Sequence, residues 1–317
     1  MEYLVQFNAF QTNFKAQNLV DFMNQHIDIP VVLVTLYLTL IFYVPNNIMK
    51  NRNPVPCKTF FTLWNFVLTV FSIIGTYYTV PVLASVVWNH GVRFSACSNP
   101  DVFYFDGPVG FWVGMFILSK IPELMDTVFL VVQKKDVIFL HWFHHVTVML
   151  YCWHAYTHKI GSGLWFAAMN FSVHSIMYFY YFLMAIGARS LVRPIAPLIT
   201  SLQLLQMVVG MAVTIATFVW RQDSEGCHVD AANSRMGLAM YTSYFILFAV
   251  LFKKLYLTPG GRKSLASAGG KKSSTSAASP VTEGSSSTST SKGGLCNVEE
   301  VQDGAGQFLN FDEKKKK

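Results

Sequence analysis

The sequence predicts an all-α integral membrane protein of seven transmembrane helices, and three observations carry that expectation. Of 317 residues, 52% are hydrophobic and 13% charged, about half the charged content of a soluble domain. Aromatic residues reach 15%, as a lipid-facing surface with interfacial rings requires. Apolar stretches recur at about the 20-residue length that lets a helix cross hydrocarbon. Open strand systems are excluded, because backbone polar groups in lipid must be satisfied internally.

The spans fall at about residues 29–48, 60–87, 109–132, 137–157, 162–187, 195–219 and 236–257. Residues 1–28 are polar and aromatic by turns and read as a lumenal N-terminal segment with no cleavable signal. Residues 29–257 are expected to form one seven-helix transmembrane domain. Pro30, Pro54, Pro56, Pro108 and Pro194 stand at span edges, where helices start and stop. Pro122 is read as the exception: it lies inside the third span and predicts a kink. Residues 258–317 are rich in Gly, Ser, Thr, Ala and Lys. That composition cannot bury a core and predicts a disordered cytoplasmic tail. Lys314 and Lys315 occupy the positions of a dilysine retrieval signal for the endoplasmic reticulum; a basic tail beside an anionic membrane surface is the other reading.

Loop charge sets the orientation. Lys50, Arg52 and Lys58 follow span one, Lys134 and Lys135 follow span three, and Arg189 and Arg193 follow span five. With a lysine-rich tail, all lie on one side of a seven-span chain. The opposite loops carry Asp101, Asp106, Asp223, Glu225 and Asp230. The N-terminus is therefore expected in the lumen and the C-terminus in the cytoplasm. Cys97 and Cys227 both fall in lumenal loops, where disulfides persist, and are expected to pair. The net charge of +7 resides in loops and tail, which suits anionic head groups or an anionic ligand, and no nucleic acid is expected.

Charged side chains inside spans are costly and by default functional. Span three holds Lys120, Glu123 and Asp126, within roughly 120° of one helix face. They must face the bundle interior, where they either fix packing as an ion-pair network or meet a ligand. Span four opens with His141-Trp-Phe-His144-His145, which places three imidazoles on one face. Such a cluster suits a metal, a proton relay or nucleophilic catalysis. Span five contributes Asn170, His174, Tyr178 and Tyr181. Span six contributes Thr200, Gln203 and Gln206; amides in membrane helices often only hold helices together. The depth of these groups along their helices converges them in one chamber open to the cytoplasm.

Four patterns occur in order: Lys120-x-x-Glu123-x-x-Asp126-Thr127, His141-x-x-His144-His145, His174-x-x-Met177-Tyr178-x-Tyr180-Tyr181 and Thr200-x-x-Gln203-x-x-Gln206. Together they resemble the signature set of the ELO family of very-long-chain fatty acid elongases, over about residues 25–257. The resemblance implies a 3-oxoacyl-CoA synthase of the endoplasmic reticulum membrane, with six of seven helices ringing an acyl tunnel. Its substrates would be acyl-CoA and malonyl-CoA, with no further cofactor and no metal. Its partners would be the lipid bilayer and the 3-oxoacyl-CoA reductase, dehydratase and enoyl reductase that complete a cycle; a homodimer is allowed.

On that resemblance His144 is the expected acyl acceptor, with His145 and His141 orienting or relaying protons and His174 across the cavity. His174, Tyr178 or Gln203 would stabilise an enolate. Lys120 would meet anionic CoA groups or only pair with Glu123 and Asp126. Cys152, some 12 Å along the helix from the histidines, is the rival nucleophile. Asp136, upstream of the histidine box, resembles members acting on saturated and monounsaturated chains. Two other classes compete. A di-iron desaturase or hydroxylase also uses HxxHH but needs about eight histidines at one face. A seven-helix receptor or transporter needs a site reachable from the other side.

Overall fold

The computed structural model describes residues 2–258. The expected tail, with Lys314 and Lys315, lies outside the described residues except for Thr258. Among the described residues all regular structure is helical.

The N-terminal segment is helical. It forms α1 (Glu2–Thr12) and α2 (Ala16–Gln25). Ala16, Val20 and Met23, spaced i, i+4, i+7, form the buried stripe of α2. They pack on two later helices, α5 (Gly107–Ser119) and α7 (Phe139–Thr157), and the Trp153 indole donates to the Met23 carbonyl at 3.1 Å. α3 (Asp28–Phe42) follows at a bend of 65° from α2.

α4 (Lys58–Cys97) is 40 residues long, about twice the length needed to cross a bilayer. The sequence reading ended this span at residue 87 and took Pro122 as the interior proline. Pro81 is a second, inside α4. Gly91, at φ +84°, interrupts the helix before it runs on to Cys97, a conformation that side chains with a Cβ rarely adopt.

The disturbance expected at Pro122 takes the form of a break in the α-helical ladder of the third span. α5 ends at Ser119, Pro122–Leu124 form a tight 3-10 turn, and α6 (Met125–Val132) resumes. Pro122 lacks an N–H and its ring crowds the carbonyl one turn back, so the α-helical ladder cannot continue through it. α7 is followed by α8 (Gly163–Ile186), which stops at Gly187 with φ +102°. A short α9 (Arg189–Val192) leads into α10 (Ala196–Trp220), and α11 (Ala231–Phe252) completes the bundle. Asp230 caps α11 by accepting from the Asn233 N–H at 2.7 Å.

By length and composition, Lys58–Cys97, Arg189–Trp220 and Ala231–Leu257 can each cross a membrane, and the bent α2–α3 pair makes a fourth candidate. α5 and α6, at 13 and 8 residues, are each too short alone. The structure thus supports an all-helical membrane protein with three to four such spans, fewer than the seven expected from the sequence.

α4 lies along α8, α10 along α11, and α7 between α5 and α11. One end of the bundle is clasped. A disulfide joins Cys97 to Cys227. The His228 N–H donates to the Cys97 carbonyl and the Gly161 N–H to the His228 carbonyl, both at 2.7 Å. A Cβ on Gly161 would come within 2.7 Å of the Ser98 carbonyl oxygen, so glycine is what lets these loops approach. Ion pairs Lys159–Asp101 at 3.1 Å and Lys15–Asp106 at 2.7 Å lie at the same end.

Candidate active site

A cavity of about 70 Å³ lies towards the end opposite the clasp. Its wall holds Glu123, Asp126, His141, His144, His145, Asn170, His174, Tyr178, Tyr181, Gln203 and Gln206, with Leu140, Val173, Met177, Met207 and Phe248. Of the polar residues singled out from the sequence, Lys120, Thr127, Tyr180 and Thr200 stand off the wall.

The break at Pro122 shapes the acidic side. Because α5 stops before Lys120 and α6 starts after Glu123, both groups sit on the connecting turn. Lys120 Nζ donates to Glu123 Oε1 at 2.8 Å and to Asn170 Oδ1 at 3.2 Å. Lys120 and Glu123 are only 2% and 3% exposed. Ser119 Oγ also donates to Glu123 Oε1 at 2.8 Å, while Glu123 Oε2 is buried without a hydrogen-bond partner. Asn170 Nδ2 reaches His174 Nε2 at 3.1 Å. A continuous polar line therefore runs from Glu123 through Lys120 and Asn170 to His174.

A second line starts at the first turn of α7. Thr127 Oγ1 lies 2.8 Å from His141 Nε2 and 2.7 Å from the Tyr37 hydroxyl. His141 and His145 pack ring to ring at 4.6 Å, and His144 and His145 at 5.3 Å. Asp126 accepts from Trp64 Nε1 at 2.8 Å and from the Tyr178 hydroxyl at 3.1 Å. The His174 and Tyr178 rings meet edge-on at 5.3 Å. Gln203 donates to Met177 Sδ at 3.3 Å, leaving its Oε1 buried without a partner. Two acceptors of wall residues thus have no protein donor.

Chemically, the site combines several imidazoles, able to act as nucleophiles or proton carriers, with hydroxyl and amide donors on the facing helices. Among the described residues, no group of three or more His, Cys, Asp or Glu is arranged to hold a metal ion. Cys152 belongs to an apolar cluster with Trp153 and Phe171, off the cavity wall. Sequence reading missed Tyr37, Trp64 and Tyr244. Tyr37 and Trp64 sit in apolar runs and meet the site across gaps of 90 and 62 residues, which periodicity cannot reveal. Tyr244 donates to the His144 carbonyl at 3.2 Å, with ring centroids 5.1 Å apart.

Comparison with known proteins places this constellation. The chain is 47% identical over 285 residues to fatty acid elongase 3 of Trypanosoma cruzi, covering 83% of this chain and 95% of that protein. It is 52% identical over 246 residues to very long chain fatty acid elongase 4 of the same organism, covering 77% and 86%. With very long chain fatty acid elongase 6 of Drosophila melanogaster it shares 42% identity over 227 residues, 71% of each chain. The sequence model of the ELO (GNS1/SUR4) family matches residues 22–264. The chain whose four polar patterns meet in this one cavity belongs to the ELO family of fatty acid elongases.

Proposed function

We propose that the protein is the condensing enzyme of fatty acid elongation, a 3-oxoacyl-CoA synthase joining a long-chain acyl-CoA to malonyl-CoA. The convergence of α6, α7, α8 and α10 on one cavity, with His144 on its wall, carries this reading. An imidazole nitrogen of His144 attacks the thioester carbonyl, the C–S bond breaks, and CoA leaves as the thiol with the proton that His144 gives up. Malonyl-CoA then loses CO2, and the electron pair of that bond forms an enolate. The enolate carbon attacks the acyl-imidazole, a C–C bond forms, the C–N bond breaks as the departing His144 nitrogen takes a proton from water, and 3-oxoacyl-CoA results. Donors on the wall, His174, Tyr178 and the Gln203 amide, suit the enolate oxygen. Thr127 holds His141, and the line through Lys120 and Asn170 holds His174. This assigns Lys120 to positioning rather than to binding CoA.

The orientation follows from charge. The loops and helix ends away from the clasp carry Lys50, Arg52, Lys58, Lys134, Lys135, Arg189, Arg193, Lys253 and Lys254 against Asp136. By the positive-inside rule that end faces the cytoplasm, where CoA thioesters are made available, and the clasp faces the endoplasmic reticulum lumen. Seven crossings are then met if the bent α2–α3 pair, the broken α5–α6 pair, α7 and α8 each count as one beside α4, α10 and α11. The saturated and monounsaturated preference, the cycle partners and a homodimer belong to the same proposal. The test is elongation of an acyl-CoA panel with labelled malonyl-CoA by purified protein. His144→Ala should abolish two-carbon extension while folding normally; unchanged extension would overturn the assignment.

A further inference from the structure

Beside the histidine cavity lies a second, much larger space. A slot of about 660 Å³ runs between the bent α2–α3 pair and the faces of α7 and α11. Ile27, Val31, Leu150, Met236, Ala239 and Met240 are among its apolar walls. It follows α7 from Phe143 to His158, about 22 Å at 1.5 Å per residue, more than the depth of one leaflet's hydrocarbon. Among the described residues no Lys or Arg lines it; of its polar groups, Asn24, His154, Thr157 and His158 gather at the end of α7 away from Phe143, so the stretch next to Phe143 offers an alkyl chain a place.

The partition between the two spaces is one side chain thick. Phe143 and Thr147 line the slot, and His144 lines the cavity. Tyr244 touches all three: its hydroxyl bonds Thr147 Oγ1 at 2.5 Å and the His144 carbonyl at 3.2 Å, and Phe143 meets its ring edge-on at 6.1 Å. The histidine cavity, about 70 Å³, holds two or three water molecules and has no room for a long chain.

We propose that the slot is a lateral portal that receives the alkyl chain of a long-chain acyl thioester as it passes between the bilayer and the histidines, with Tyr244 as the partition that opens. The proposal rests on the condensing reading above, and it assigns a role to a face that the catalytic motifs do not touch.

The test has two parts. Ala239 is exposed in the slot, and Ala239→Trp should fill it without disturbing the core. Long-chain acyl-CoA should then lose about tenfold in kcat/KM, the order expected when two methylenes lose their berth, while a six- or eight-carbon acyl-CoA is elongated as before. Equal long-chain rates in variant and wild type would overturn the portal. Wild-type protein that elongates nothing would instead overturn the condensing reading. The second part needs no variant: wild-type protein in vesicles is irradiated with palmitoyl-CoA bearing a terminal diazirine. Labelled peptides from α7 and α11 at Leu150 or Met236, suppressed by excess palmitoyl-CoA, support the portal. Label confined to interior residues, or slot label suppressed only by phosphatidylcholine, refutes it.

Discussion

Replacing Glu123 by leucine strands a buried cation. Lys120 is 2% exposed, and its ammonium would keep Asn170 Oδ1, at 3.2 Å, and the face of the Phe116 ring, at 4.2 Å, but no counterion. Removing one member of a buried ion pair costs about 3–5 kcal/mol, because the remaining charge stays desolvated without its counterion. For a chain of this size that corresponds to a fall on the order of 10 °C in unfolding temperature. The double variant Lys120→Met/Glu123→Leu removes both charges and should recover most of the loss, since a hydrophobic pair of similar volume is often neutral or better. Intrinsic fluorescence of the 7 tryptophans during heating in detergent reads both. Elongation assays separate packing from function: the double variant should be stable yet impaired, because His174 has lost the Lys120–Asn170 support. A double variant that unfolds as early as Glu123→Leu would refute the stranded-charge argument. A double variant with full activity would refute the positioning role.

Three further outcomes are expected. Thr127→Val removes the hydroxyl between Tyr37 and His141 and should lower kcat with little change in KM; a change in KM alone would argue against a positioning role. Cys227→Ser opens a cross-link spanning 130 residues and should cost up to about 5 kcal/mol by chain entropy, seen as a lower melting temperature with activity retained at low temperature. The third concerns pH. Lys15, hydrogen-bonded to Asp106, and the Ala16 N–H at 3.0 Å hold that carboxyl below the usual carboxylate range. A lowered carboxylate pKa contributes stability that is present above the unfolded value of about 3.9 and is lost as pH falls through the folded value. The small stability difference between wild type and Lys15→Ala, at most about 1 kcal/mol for an exposed pair, should therefore begin to shrink as pH falls towards about 3.9 and vanish only below the lower, folded value. An equal difference at pH 3 and pH 7 would contradict this.

What could be read from the sequence was whatever depends on local spacing. The HxxHH run fixes three imidazoles on adjacent faces whatever the rest of the chain does, and the lysine–glutamate–aspartate spacing announces buried charge. The order of the four patterns then places them on successive helices. Three things were not legible. Pro122 signals a disturbance, but whether a helix bends or stops there depends on what surrounds it. α2 reads as a mixed polar segment because only Ala16, Val20 and Met23 need to be apolar. Trp64 and Tyr37 look like any lipid-facing aromatic until the fold brings Asp126 and Thr127 to them. Helices that carry a polar site give up the apolar content by which spans are recognised, and α5, α6, α7 and α8 are not among the three or four recognised by length and composition.

The clasp at the disulfide end makes α11 a lever. Its first turn is held by the Asp230 cap and by the neighbouring Cys227 and His228 contacts, so that end cannot translate freely. Tyr244 lies 14 residues further on, about 21 Å along the helix. A tilt of about 5° about the clasp would carry its ring roughly 2 Å, by that rise per residue, enough to part it from Thr147 without unwinding any turn. On the portal reading, a clamped fulcrum far from the chemistry would convert a small rotation into the opening of one side chain's width.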